Sequence, residues 1–311
     1  MLTFSGLTLR AYIPLMTLQL FLVSGTYLFA KLGTAEIPVI PFALLRFCLS
    51  GLVLWLFCLA TGRIRRIERR DWAMLALLSI LLIPINQGFF LFGQNLSRTT
   101  HGALIYSLAP IFVALFAGIY LKETVPAYRW AGILLSVVGA SVVISGQGIS
   151  WANDSFRGDV LILVAMLSWV AFTVAGKEFV TKYGAFFSMT AIQLVGLAMV
   201  LPLFPLAYRQ YSASVPVSPI GWISLLYVSL GTSVLSYALW YWALARVETA
   251  KLGVLMSLQP MVAAVYSYAA FGAEEITLPF VVGGVLAIFG VWMAHSNMVR
   301  RPPDRSVSDK I

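Results

Sequence analysis

The sequence has little charge of either sign, and this is its most informative shortage. Only 11% of its 311 residues are Asp, Glu, Lys or Arg, whereas soluble domains carry roughly 25%. A water-facing surface cannot be built from so few charges when 60% of the residues are hydrophobic and the mean hydropathy is +0.90. The shortage therefore excludes an ordinary soluble domain and indicates a protein whose solvent is lipid.

Cysteine and histidine are also scarce, with two of each in the chain. Cys48 and Cys58 fall in one apolar stretch, and their spacing fits neither a zinc site nor a disulfide framework. No Walker motif, nucleophile elbow or HExxH sequence is found either, so we expect no metal, no cofactor and no enzyme. The net charge of +9 comes from basic residues between apolar blocks, which indicates membrane topology rather than a nucleic-acid partner.

What the sequence has in abundance is apolar blocks of about 20 residues, the length that a helix needs to cross roughly 30 Å of hydrocarbon. Each block is expected to be helical, because backbone amides need internal partners in lipid. The first block is long for a signal-peptide core and lacks a convincing cleavage site, so it is interpreted as a retained helix. The predicted blocks lie near residues 12–31, 38–61, 72–92, 102–121, 129–146, 159–177, 185–207, 219–244, 252–271 and 277–296.

The basic residues between the blocks predict an orientation. With both termini in the cytoplasm, 16 Lys and Arg residues fall on the cytoplasmic side and 4 on the other, while Arg46 falls inside a helix. This asymmetry follows the positive-inside rule. It supports ten spans, because one helix more or fewer would destroy the pattern downstream. The polar tail, residues 297–311, is then cytoplasmic.

An internal repeat relates the two halves of the chain. The segment around Pro110 aligns with the segment around Pro260 at an offset of 150. Glu123 and two glycines after it match Glu274 and two later glycines at an offset of 151. A proline, a glutamate and two glycines in nearly common register indicate a repeat rather than chance.

The repeat has a geometric consequence. Each half, residues 12–146 and 158–296, contains five predicted helices, an odd number, so the second half enters the membrane with the opposite orientation. The sequence therefore predicts an all-α integral membrane protein of ten transmembrane helices, arranged as two inverted five-helix repeats. Such repeats are typical of transporters whose substrate site lies near the bilayer midplane, between the halves.

These features resemble the EamA-type branch of the drug/metabolite transporter superfamily over about residues 12–296. The resemblance rests on two tandem five-helix units, the matched Pro and Glu residues, and Arg46 in the run Pro-Phe-Ala-Leu-Leu-Arg-Phe. It implies ten helices, cytoplasmic termini, a central cavity, and traffic in small metabolites, often efflux of amino acids or related compounds. One departure is Ser24-Gly25, where the family often has Trp-Gly, whereas the second half keeps Trp169.

Arg46 is the first candidate for substrate binding. A charge this deep in a helix is costly and normally faces protein or water rather than lipid. It could hold a substrate carboxylate or phosphate, or it could anchor helix ends structurally or extend its charge toward the membrane surface. No carboxylate falls in a predicted helix core, which argues against an antiporter with a buried Asp or Glu and favours facilitated diffusion or exchange. His101 and His295 leave a proton-coupled alternative.

Polar and aromatic residues in other helices supply the remaining candidates. Gln87 aligns with Tyr237, and the two would face each other across the repeat axis, as cavity lining or as bonds between helices. Trp169 could stack on a substrate or only pack. Pro110 and Pro260 would kink their helices and frame the cavity. The candidate substrate-binding residues are Arg46, Gln87, Tyr106, Trp169, Tyr237 and Gln259.

Three functions remain open at this point. The first is a secondary transporter in a bacterial inner membrane, which exports or exchanges a small organic metabolite by alternating access. The second is a membrane-embedded enzyme that modifies lipids, although no paired carboxylates or metal ligands are grouped in the sequence. The third is a receptor or channel scaffold. Gly132, Gly139, Gly283 and Gly284 are expected at close helix contacts, and a homodimer is an additional possibility.

Overall fold

A computed structural model describes residues 9–97, 102, 105–145, 156–212, 216–271 and 278–295. All regular secondary structure in these ranges is helical. The predicted cytoplasmic tail, 297–311, lies outside the described residues, as do His101 and Glu274.

The helices are numbered α1 to α10 in chain order. Within the described residues, six of them are long and apolar enough to cross a membrane, whereas the apolar stretches of the other four are shorter. Length and composition of this part of the chain thus identify six candidate spans and do not confirm the predicted count of ten. The six are α1 (Leu9–Glu36), α2 (Val39–Ala60), α3 (Arg69–Leu96), α6 (Phe156–Tyr183), α7 (Ala185–Tyr211) and α8 (Pro219–Leu244). The four are α4 (Ala109–Tyr120), α5 (Ala127–Ser145), α9 (249–271) and α10 (Leu278–His295).

Two of the long helices widen into π-helix near their middle. The π segment of α3 is Leu81–Gly88, and that of α8 is Tyr227–Ser236. Pro84 lies inside the first segment, where its missing N–H group already interrupts the α-helical bonding pattern. An offset of 150 maps residues 81–88 onto 231–238, so the two segments overlap under the sequence repeat. Segments of this kind are frequent at functional sites.

Helices α5 and α10 approach each other backbone to backbone. A Cβ atom added at Gly139 would lie 2.4 Å from the amide nitrogen of Ala287, and one at Gly290 would lie 2.5 Å from that of Ser136. Only residues without side-chain bulk allow such an approach. The close packing predicted for Gly132, Gly139 and Gly283 thus joins the last helix of each half within one chain. Gly284 instead lies against the side chain of Met261 in α9, and the homodimer stays a prediction.

Polar contacts join loops at both ends of the helix bundle. After α2, Glu68 and Asp71 accept bonds from Lys182 Nζ at 2.8 and 2.6 Å, at the end of α6. At the end of α1, the carboxylate of Glu36 accepts bonds from the amide and hydroxyl of Ser218, each at 2.7 Å. Because the 22 residues of α2 separate the first contact from the second, the loops after α2 and after α7 lie at opposite ends.

Glu123, between α4 and α5, binds two helices of the second half. Its carboxylate accepts a bond from Lys177 Nζ at 2.6 Å, and bonds from the Thr249 amide at 3.1 Å and the Ala250 amide at 3.3 Å. These amides begin α9, so Glu123 supplies acceptors for a helix N-terminus. Burial raises the pKa of Glu123, but Lys177 and the backbone bonds outweigh burial and hold the pKa below its usual value.

Candidate functional site

All six candidate substrate-binding residues line a single buried cavity. Each is at least nine-tenths buried, and Arg46 is fully so. Both halves of the chain contribute, so the cavity lies where they meet. The space open to the centre of a water molecule is about 60 Å³. The full lining is Gln19, Val23, Thr26, Tyr27, Arg46, Asn86, Gln87, Phe90, Tyr106, Trp169, Thr232, Tyr237, Trp240, Met256 and Gln259.

Arg46 supplies the positive charge of the cavity. Its Nε donates to Ser233 Oγ at 2.7 Å, and its Nη1 donates to Gln87 Oε1 at 2.6 Å. Its Nη2 is buried and has no hydrogen-bond partner among the described residues. Two fixed bonds thus orient the planar guanidinium group, while one nitrogen remains available to an acceptor in the cavity.

Gln87 lies at the centre of the polar network. Its Nε2 donates to the hydroxyl of Tyr237 at 2.8 Å and also contacts Asn86 Oδ1. Asn86 Nδ2 in turn donates to the hydroxyl of Tyr106 at 2.9 Å. Gln87 and Tyr237 are equivalent under the 150-residue offset of the sequence, and the bond between them joins the two halves of the chain. Their position on either side of a repeat axis stays a prediction.

Aromatic rings form much of the remaining wall. Trp169 and Trp240 have ring centroids 4.9 Å apart. Tyr27 and Tyr106 each meet Phe90 edge to face, with centroids 5.8 Å apart in both pairs. The cavity thus offers flat apolar surfaces beside a few fixed polar groups, a combination typical of small-molecule sites.

Among the described residues, the cavity lining contains one cation and no acidic side chain. An isolated buried charge is strongly unfavourable unless partners compensate for its lost hydration. Arg46 has only neutral partners in the described part of the chain, namely Ser233 and Gln87 by hydrogen bonds and the nearby Tyr237 hydroxyl. The geometry therefore favours an anionic group, such as a carboxylate, at Arg46 Nη2.

Other polar residues of the sequence lie elsewhere. Gln94 is buried outside the cavity, and its amide has no partner among the described residues. Pro110 and Pro260 do not line the cavity. Each is the second residue of a regular α-helical segment, in α4 and in Gln259–Phe271 of α9. Their predicted role in framing the cavity stays a prediction, while Tyr106 and Gln259 just before them reach it.

The sequence did not single out several side chains that complete the site. Thr26 and Thr232, one from each half, share a hydrogen bond of 2.8 Å. Ser233 holds Arg46. Hydroxyl residues are common in membrane helices because they can bond to their own backbone. Thr26, Thr232 and Ser233 can therefore be recognised as part of the site only once the structure shows that α1 and α2 pack against α8.

Comparison of the sequence with known proteins identifies the protein family of this chain. The EamA-like transporter family matches this chain twice, over residues 10–145 and 156–295. The chain belongs to the EamA-like transporter family. Its membership and its long apolar helices make it a membrane-spanning transporter, in agreement with the resemblance stated from the sequence.

Relatives of this EamA-like chain are also transporters by name. An uncharacterized transporter of Archaeoglobus fulgidus is 24% identical over 90% of this chain and 95% of its own length. The uncharacterized transporter YyaM of Bacillus subtilis is 28% identical over 94% and 96%. A probable terminal-alkyne amino-acid exporter of Streptantibioticus cattleyicolor is 25% identical over 78% and 80%. One solved crystal structure shares the fold, with a TM-score of 0.76 and 19% identity over 92% of this chain and 97% of that one.

Proposed function

We propose that this EamA-like chain is a secondary transporter for a small organic metabolite with a carboxylate group, an amino acid or a related compound. The observation that carries the proposal is the Nη2 of Arg46, which is buried and, within the part of the chain that the structure describes, has neither a hydrogen-bond partner nor an acidic side chain in its cavity. A substrate carboxylate would accept a charge-assisted bond from this nitrogen, the stronger class of hydrogen bond.

Tyr237 supports the same orientation of the substrate. Its hydroxyl oxygen accepts a bond from Gln87, so the hydroxyl hydrogen is available to donate. The hydroxyl also lies close enough to Arg46 for an electrostatic interaction. A carboxylate between Arg46 and Tyr237 would thus receive two donors, while its organic part contacts the aromatic walls.

Alternating access between the inverted halves, 12–146 and 158–296, is the proposed mechanism. The bond between Gln87 and Tyr237 and the opposite placement of the loops after α2 and α7 support this arrangement. A cavity of about 60 Å³ has room for roughly five waters at 10–15 Å³ each, too little for most amino acids. The halves would therefore have to move apart to admit substrate from either side.

The ionisable groups favour exchange or facilitated diffusion over proton or sodium antiport. None of the described residues that line the cavity is Asp, Glu or His, whereas antiporters commonly use a buried carboxylate that titrates. Asp159 is buried at the start of α6, but it lies outside the lining and contacts Ser97. We propose export across a cytoplasmic membrane with both termini inside, as the charge asymmetry and the exporter relative suggest.

A counterflow assay tests the proposed function. Purified protein is reconstituted in liposomes loaded with one unlabelled amino acid, and uptake of the same radiolabelled amino acid is followed over time. A carrier gives a saturable transient overshoot with its substrate, and collapse of the pH gradient with an ionophore leaves the overshoot unchanged. Flux that does not saturate would support a channel instead, and lipid turnover without flux would support an enzyme.

A further inference from the structure

A second cavity opens at the end of the bundle that carries the arginine-rich loop. It lies at the C-terminal ends of α2, α6 and α8 and at the start of α7. Its volume, on the same measure as the central cavity, is about 510 Å³. Three arginines line it, namely Arg63, Arg65 and Arg246. We call this cavity the arginine cleft.

The three arginines have no acidic partner among the described residues. Arg65 Nη1 donates to the carbonyl of Lys182 at 3.1 Å, and Arg246 Nη1 donates to the carbonyl of Trp242 at 2.9 Å. Arg63 lies over the ring of Phe186, at 4.9 Å from its centroid. Each guanidinium group keeps further N–H donors for an anion.

Neighbouring cations at the same end of the bundle are paired, in contrast. Lys182 binds both Glu68 and Asp71, and Lys177 binds Glu123. Glu68, Asp71 and Glu123 are thus neutralised by lysines, and Glu248 is bound by Arg129. Among the described residues no acidic side chain lines the cleft, which keeps an excess of positive charge. Burial lowers the pKa of Arg246, since the cleft removes water from its charged group. A bound anion would offset both the mutual repulsion and the lost hydration.

Three candidate spans end at the cleft. With these helices across a bilayer, the cleft would border the hydrocarbon layer at the depth of the lipid headgroups. The rings of Phe57, Phe186 and Trp242 accompany the arginines, and aromatic residues concentrate at this level of membrane proteins. Phe57 is 39% exposed on the outside of the bundle, where an acyl chain can lie against it.

From this placement we propose that the arginine cleft binds the phosphate of an anionic phospholipid, whose acyl chains extend along the outer face of α2. The planar forks of Arg63 and Arg246 suit phosphate oxygens, which they can reach with two N–H groups each. Basic pockets between membrane helices are known to take such headgroups. The positive-inside rule explains why basic residues lie at this end of the bundle. It does not explain why three of them line one cleft, since Arg66 and Arg69 of the same loop do not line it.

A lipid titration with charge-matched variants tests this site. The full-length protein in a non-ionic detergent is titrated with dioleoylphosphatidylglycerol, and thermal unfolding is recorded at each lipid concentration. The same series is run with dioleoylphosphatidylcholine and with inorganic phosphate. The variants are Arg63→Ala/Arg246→Ala in the cleft and Arg66→Ala/Arg69→Ala as a control that removes equal charge from the same end.

We expect phosphatidylglycerol to raise the unfolding temperatures of the wild type and of the control variant, and the lipid concentration that gives half of the full increase should be the same for both. The cleft variant should need roughly thirtyfold more lipid, equivalent to about 2 kcal/mol for two basic residues. An equal loss of lipid affinity in both variants would overturn the site, because the overall positive charge at this end of the bundle would then explain lipid binding. If phosphatidylcholine or inorganic phosphate stabilised the protein as strongly as phosphatidylglycerol does, the proposal that the cleft binds an anionic phospholipid would be overturned. None of these readouts depends on transport.

Discussion

The substrate contact of Arg46 can be tested by a thermodynamic cycle. Arg46→Met removes the charge and keeps a long, flexible side chain in the same space. On the substrate, replacement of the carboxylate by a carboxamide removes the opposite charge. The two changes act on a single proposed bond between Arg46 Nη2 and a carboxylate oxygen, so their effects should not add.

The magnitude follows from the bond that is removed. Hydrogen bonds to charged groups contribute about 1.5–3 kcal/mol, which corresponds to a roughly 10- to 150-fold change in the dissociation constant. Arg46→Met should weaken binding of the carboxylate substrate by this factor, and the carboxamide should bind the wild type equally weakly. With both changes present, no further loss is expected. Arg46→Lys should restore little, because a lysine cannot replace the fixed bonds to Ser233 and Gln87.

Isothermal titration calorimetry in detergent measures all four corners of the cycle. The ligand is the amino acid that counterflow identifies, with its carboxamide. Ser50→Ala is a suitable control, since Ser50 is fully buried and bonded to Gln193 but does not line the cavity. It should lower stability and leave affinity unchanged. If the losses from Arg46→Met and from the carboxamide add in full, the substrate carboxylate does not contact Arg46.

Three further predictions concern transport and stability. Gln87→Ala should reduce counterflow without preventing membrane insertion, because it releases the bonds that orient Arg46 and Tyr237; wild-type counterflow would contradict the site. Gly139→Ala should lower the unfolding temperature by an amount equivalent to about 1–3 kcal/mol of overpacking, whereas Gly118→Ala, with its nearest contact at 3.7 Å, should not. Glu123→Gln should destabilise the protein at neutral pH. The folded protein holds the pKa of Glu123 below its ordinary value of about 4.3, so the carboxylate contributes its full stabilisation above that pH. This stabilisation is lost as the pH falls from there through the lowered pKa, and the unfolding temperatures of the variant and the wild type should then converge.

Much of the central cavity could be predicted from single residues that are costly in lipid. Arg46 and Gln87 stand out in apolar helices because an unpaired charge or amide has no solvent there. Tyr237 could be predicted through its alignment with Gln87, and Tyr106 and Gln259 through their position before aligned prolines. The structure brings these five residues to one cavity, together with Trp169.

Other features depend on contacts that no local pattern indicates. The π segments arise within helices of ordinary composition, and only Pro84 hints at the first. Glu123 matches Glu274 in the repeat, yet its role at the start of α9 needs two helices that are distant in sequence. From the sequence, the positive-inside rule accounts for the basic residues of the arginine cleft, because their number does not show which of them converge in space.

The contact between α5 and α10 constrains how the transporter could change shape. Where two backbones touch, no side chain is present that could swing aside, so the helices either remain together or lose the whole contact at once. A rearrangement that widened the central cavity and kept this contact would therefore move α5 and α10 together as one rigid pair. A crosslink between α5 and α10 would then be harmless to function, whereas one across the cavity would stop the cycle.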